Sequence, residues 1–158
     1  ITNRRSFEEW GFCKVTNQHF SQYQLKKDDI IVTRTSALGL NVLILKDLSS
    51  VFNNGLIRIK IKDEINNIFV YYSMQNKWYK EYIARITYET STRPNMQINY
   101  LLDFPLIYAN KDLEERFSLF ASVMLLKQDS NNQQIQTLTK TRDALLPKLM
   151  SGQLRVKE

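Results

Sequence analysis

Toward the C-terminal end, Phe117, Ala121, Met124, Gln128, Asn131, Ile135, Leu138, Arg142, Leu145 and Leu149 follow one another at alternating steps of four and three. That alternation keeps them on one stripe of an α-helix and on no single face of a strand. A long helix opening at Asp112 is therefore the element this chain is most strongly bound to form. Asp112, with Glu115 three residues on, reads as a capping box. The stripe is a coiled-coil seam with polar interruptions at Gln128, Asn131 and Arg142, and Asp129 to Asn132 is a candidate break in the helix. Pro147 lacks the N–H that a helix interior needs, and Gly152 is free to turn, so the helix is expected to stop there. Two arrangements satisfy the seam: packing on its own domain, or pairing with a second helix. Polar seam positions favour specific pairing over maximal stability, which selects Ile135, Leu138, Arg142, Leu145 and Leu149 as the partner-helix face.

Upstream the period changes. Leu25 to Asp29 is a polar turn, Ile30 to Thr35 a β-branched strand and Leu40 to Leu45 a second strand. After the turn signal Asn53-Asn54-Gly55, Ile57, Ile59 and Ile61 alternate with Arg58, Lys60 and Lys62. That spacing predicts a strand with one buried face and one wet, basic face. Ile65, Ile68, Phe69, Tyr72, Tyr79, Tyr82, Ile83 and Ile86 return to helical spacing, giving one or two helices between about Asn66 and Ile86. Thr87 to Asn95 reads as a loop, Leu101 and Leu102 as a turn or short helix, and Phe104 to Tyr108 as another short strand.

Several classes of function are excluded or disfavoured. Cys13 and His19 are the only residues of their kinds, too few for an internal disulfide or a zinc site of the usual Cys and His set. Cys13, beside Phe12 and Val15, reads as a small core residue, and His19 as a turn or surface residue. Gly11, Gly39, Gly55 and Gly152 are too scattered for a dinucleotide fingerprint or a P-loop. Asp28-Asp29 and Asp63-Glu64 lack the companions of a nuclease site, and Asp103-Phe104-Pro105 is not the loop of a DNA amino-methyltransferase. No catalytic residue, metal or cofactor is expected. No stretch approaches the roughly 18 apolar residues of a membrane span, and an unpaired cysteine fits a reducing compartment. The net charge of +6, from 22 basic and 16 acidic residues, favours a polyanionic partner. The chain starts with Ile1 rather than Met and is expected to be a piece or trimmed form of a longer one.

Several ordered segments resemble one family. The run Leu138 to Val156, "LTKTRDALLPKLMSGQLRV", is similar to the end of a specificity subunit of a type I restriction–modification enzyme. "LKKDDIIVTRTSALG", "VFNNGLIRIKIK", "STRPNM" and "LLDFPLIY…LEERF" resemble successive parts of its DNA target-recognition domain and following helix, covering about Phe20 to Val156. Asp28 and Ser36 stand where the family more often has glycine, and Ala109-Asn110 stand where it has prolines. The resemblance implies an α+β (α/β-type) target-recognition domain over 1–110 and a long helical, coiled-coil arm over 111–158. It also implies a DNA-binding, non-catalytic specificity component in the prokaryotic cytoplasm. Its partners would be double-stranded DNA, modification (methyltransferase) subunits and, through the complex, a restriction subunit. The modification subunits would methylate adenine from S-adenosylmethionine, and the restriction subunit would translocate and cut with ATP. The family subunit has two such domains and two such helices, so this chain is expected to be half a subunit, or a half-length subunit forming a homodimer through its arm.

Within that frame the candidate DNA contacts are Thr33, Arg34, Thr35, Ser36, Asn54, Arg58, Lys60, Thr92, Arg93 and Asn95. Arg34 stands among three hydroxyls at a strand end; these groups bond phosphate oxygens, and Arg also forks onto guanine. A solvated strand end looks the same in sequence. Thr92, Arg93 and Asn95 flank Pro94 in a stiffened loop, and Arg and Asn suit guanine and adenine edges. The basic strand of Arg58, Lys60 and Lys62, and the Lys77 to Lys80 run, are either phosphate tracks or ordinary solvated faces. The alternative from another class is a helical protein-interaction module that binds no DNA.

Overall fold

The computed structural model describes residues 10–35, 37–62, 64–89, 95–107 and 109–154, the last two residues of the third stretch by their backbone only. The chain is mixed α+β. Its elements are α1 (Asn17–Tyr23), β1 (Ile30–Thr33), β2 (Asn41–Leu43), β3 (Leu56–Ile59), α2 (Asn67–Ser73), α3 (Lys77–Glu89), α4 (Ile98–Leu102) and α5 (Lys111–Met150). Two compact units divide it, Ile1–Ala121 and Ser122–Glu158. Among the described residues no helix is long and apolar enough to cross a membrane.

The sheet has the order β2-β1-β3 with both pairings antiparallel. Its centre, Ile30-Ile31-Val32, is almost wholly removed from solvent, as a strand covered on both faces must be. Alternation puts Ile31 on one face, where it joins Leu25 and Ile44 in a cluster closed by Trp10, Leu48 and Phe52. Each such fully buried aliphatic side chain contributes roughly 1.5–3 kcal/mol. Elsewhere in the same unit, Tyr79 and Tyr82 meet Phe104 with ring centroids 5.1 and 5.2 Å apart. The Tyr79 hydroxyl donates to Gly39 O at 3.0 Å. Burial pushes its phenol well above the ordinary value, with Tyr82 adding to the rise and a hydrogen bond with Asn41 opposing it.

Side chains of the capping type start α1, α2, α3 and α5, while α4 has no side-chain cap bond. Thr16 Oγ1 accepts the His19 N–H, Asn66 Oδ1 the Ile68 N–H, Asn76 Oδ1 the Tyr79 N–H and Asn110 Oδ1 the Leu113 N–H. The last bond corrects the expected capping box: Asn110 is the cap, and Asp112 already lies in the first turn of α5. Glu115 instead pairs with Lys111 at 4.0 Å. The acidic-amide run at 129–132 does not break α5. Asp129 accepts from the Gln133 side chain at 2.6 Å, one turn on, and the helix continues. It also runs through Pro147 and ends three residues later. There Gly152, at φ +74°, donates to Leu149 O, and Leu154 N–H reaches Lys148 O.

Four further expectations are corrected. Residues 104–107 form no strand; Pro105 has no N–H for a ladder, and Phe104 is spent on the tyrosines. Helix α3 continues through Thr87 to Glu89 rather than giving way to a loop at Thr87. Cys13 is exposed, not in the core. The wet basic face of β3 also fails at its first residue. Arg58 is largely buried, donating to Gln24 O and Gln22 O at 3.1 Å, lying over the Phe52 ring and 3.9 Å from Asp29.

In the first unit α5 buries Ala121 but not Phe117 of the expected phase. Glu114, Ser118 and Ala121 are the buried positions, while Phe117 stays partly exposed and sets its edge against Phe69 and Tyr72. Glu114 Oε1 accepts the N–H of Asn66, the cap residue of α2, tying the two helix starts together. In the second unit Ile135, Leu138, Leu145 and Leu149 are exposed, and Arg142 is paired with Asp143 at 2.6 Å.

Candidate nucleic-acid interface

Thr33 closes the turn that follows β1. Its backbone N–H donates to Leu40 O at 2.8 Å, its carbonyl accepts from Gly39 N–H at 2.9 Å, and its hydroxyl accepts from Leu40 N–H at 3.0 Å. The hydroxyl also donates to Ala37 O. Gly39 is needed here: its φ is +74°, and a Cβ would stand 2.7 Å from Ile83 Cγ1. Thr33 is thus held by its own turn.

Arg34 joins three segments. Its N–H donates to Gly55 O at 2.9 Å, and its carbonyl accepts from Met96 N–H at 2.9 Å. Its guanidinium Nε donates to Met96 O, also at 2.9 Å. Thr35 then pairs with Asn95 in an isolated antiparallel bridge. On the other side, Asn53 Oδ1 accepts the Gly55 N–H at 2.9 Å. A Cβ on Gly55 would lie 3.1 Å from Thr35 Oγ1, so a larger residue would press on this junction. Met96, 0% exposed, anchors the 95–96 segment from beneath.

One edge of the first unit thereby presents Thr35, Asn54 and Asn95, all exposed, from three stretches of sequence. Arg34 sits half-buried behind them, with no hydrogen bond from its terminal nitrogens among the described residues. The exposed groups are a hydroxyl and two carboxamides, which both donate and accept. Such an edge suits base edges or phosphate oxygens. Among the described residues no three His, Cys, Asp or Glu side chains gather as a metal site.

Of the expected contacts, Thr33, Arg34, Thr35, Asn54 and Asn95 come together here. Ser36, Thr92 and Arg93 lie outside the described residues. Arg58 is committed to the backbone of residues 22 and 24, and Lys60 lies beyond the far end of β3. Asn53, Gly55 and Met96 were not singled out. The Asn-Asn-Gly turn signal was the visible trace of the first two; nothing in the local pattern marks Met96 as the buried anchor.

No protein-family model matches this chain, and no curated protein matches it.

Proposed function

We propose that this chain is a DNA target-recognition unit of a type I restriction–modification specificity subunit, or half of one, reading one half of a bipartite site. The observation that carries the reading is the junction at Arg34. Two segments that carry the family resemblance, Thr33 to Thr35 and, through its last two residues Asn95 and Met96, the one from Ser91 to Met96, are tied to each other and to Asn54-Gly55 on one exposed edge. The net charge of +6 supports a polyanionic partner. In this reading the chain catalyses nothing. Thr35, Asn54, Asn95 and the terminal nitrogens of Arg34 face the duplex. Methyl transfer and cleavage belong to the modification and restriction subunits. The exposed seam of Ile135, Leu138, Leu145 and Leu149 pairs with an equivalent helix and spaces the two half-sites.

Asn95→Ala tests this. Loss of a bidentate base contact weakens binding to the preferred half-site by about 1–3 kcal/mol and binding to random duplex by less. An equal fall in both affinities would reduce Asn95 to a phosphate grip, and no fall in either would remove this edge from DNA binding. A second reading, a protein-interaction module without DNA binding, draws on the exposed Leu119, Phe120, Val123 and Leu126 of α5. It predicts no counterion-release slope with random duplex, whereas the DNA reader requires one.

A further inference from the structure

At the end of the sheet opposite Thr33, a second basic surface is assembled. Lys26 and Lys27 sit in the turn before β1, and Lys60 and Lys62 follow β3. Because Ile30 pairs with Ile59 in an antiparallel ladder, these two stretches are brought side by side. They line an open groove of about 470 Å³, floored by Ile61 and Ile65.

The turn carrying the first two lysines is pinned. Asp28 takes φ 72°, Asp28 N–H donates to Ile44 O at 2.8 Å, and Asp29 N–H donates to Lys26 O at 3.1 Å. The Lys27 N–H is held by Asp47 Oδ1 at 2.7 Å. The backbone is fixed while both lysine side chains are exposed.

The acids lining the groove do not cancel its lysines. Asp29 is buried; its carboxylate accepts the Lys26 N–H at 2.9 Å and lies 3.9 Å from Arg58. Glu115 lies 4.0 Å from Lys111, whose ammonium also donates to Glu64 O. Lys26, Lys27, Lys60 and Lys62 have no ion pair among the described residues; the carboxylates left near them there are Asp28 in the groove lining and Asp47, which holds the Lys27 N–H. A concave surface lined by one sign of charge focuses its field. Flexible ammonium groups act as point charges without the fixed fork that reads a base edge. The partner they suit is a row of phosphodiesters.

We propose that this groove is a second, sequence-independent contact to the DNA backbone, separate from the Arg34 junction. The proposal rests on the target-recognition reading above. The four residues of β1 separate the two ends by roughly 13 Å. That is less than half of a B-DNA turn of about 34 Å, so one duplex spans both.

The test uses the full chain, a fluorescent random-sequence duplex and titrations between 50 and 200 mM salt. The triple variant Lys27→Gln, Lys60→Gln, Lys62→Gln is compared with wild type and with Lys127→Gln on α5, after far-UV circular dichroism shows the fold unchanged. Each lost phosphate contact makes the log–log salt slope shallower by about 0.9. The triple variant is expected to lose two to three units of slope, and Lys127→Gln none. A wild-type slope for the triple variant overturns the groove. If that slope falls while Asn95→Ala leaves sequence preference intact, the groove stands and target reading at the junction fails. If Asn95→Ala alone has an effect, the groove fails and the junction stands. If wild type binds no duplex at 50 mM salt, both are refuted.

Discussion

Arg34 separates a side chain that touches DNA from one that builds the surface touching it. Its Nε donates to the carbonyl of Met96, and Met96 is 0% exposed. Arg34→Met keeps an unbranched apolar stem and deletes the donor, stranding a buried carbonyl that had a charged partner. Leaving such an acceptor unmade costs about 1.5–3 kcal/mol. With a urea m-value of about 2 kcal/mol/M, the unfolding midpoint falls by roughly 0.8–1.5 M. Equilibrium urea unfolding followed by circular dichroism measures this directly. A midpoint within about 0.2 M of wild type would refute the positioning role and return Arg34 to an ordinary surface residue. DNA binding by the same variant then reveals any added role. A phosphate contact makes the salt slope shallower by about one unit, and a guanine contact relaxes preference at one base pair.

Three further outcomes are expected. Gly39→Ala forces a side chain into positive φ and against Ile83, so it lowers stability by roughly 2–4 kcal/mol; an unchanged thermal midpoint contradicts the packing described at that turn. The wild-type chain sediments as a dimer at high concentration, and Leu138→Glu with Leu145→Glu yields a monomer with its circular dichroism retained, because each substitution places a charge in the apolar seam; a monomeric wild type speaks against self-pairing. Burial raises the Tyr79 phenol above its ordinary value near 10, so its contribution to stability is fully present below pH 10 and is lost as pH rises toward the higher folded-state value. Stability should therefore decline above pH 10, less steeply in Tyr79→Phe, and an identical decline in both proteins removes Tyr79 as its source.

The parts of the fold legible in the sequence were those with a strong local pattern. β3, the paired helices α2 and α3, and α5 announced themselves by spacing, and β1 by its β-branched run. The errors fall where a tertiary partner overrides the local pattern. Phe104 and Ile107 look strand-like, but Phe104 is taken by Tyr79 and Tyr82. Arg58 alternates like a solvent residue, yet the carbonyls of Gln22 and Gln24 and the Phe52 ring draw it in. The buried stripe of α5 begins with Glu114 and Ser118, polar residues that an apolar seam cannot reveal. Glu114 is buried because it caps a different helix, a partner 48 positions away in sequence. The site was legible as separate segments: Thr-Arg-Thr, Asn-Asn-Gly and Pro-Asn. Their junction was not, since it rests on two backbone bonds, one Arg34 Nε bond and a bridge between residues 35 and 95.

Selection of bound duplexes from a random pool tests the central claim most directly. The chain is used with its modification subunit, and the pool is also selected with Asn95→Ala. Enrichment of one short, contiguous half-site is expected for the wild type, and loss of preference at a base pair within it for the variant. Retention of duplexes without any sequence enrichment, or no retention at low salt, would contradict it.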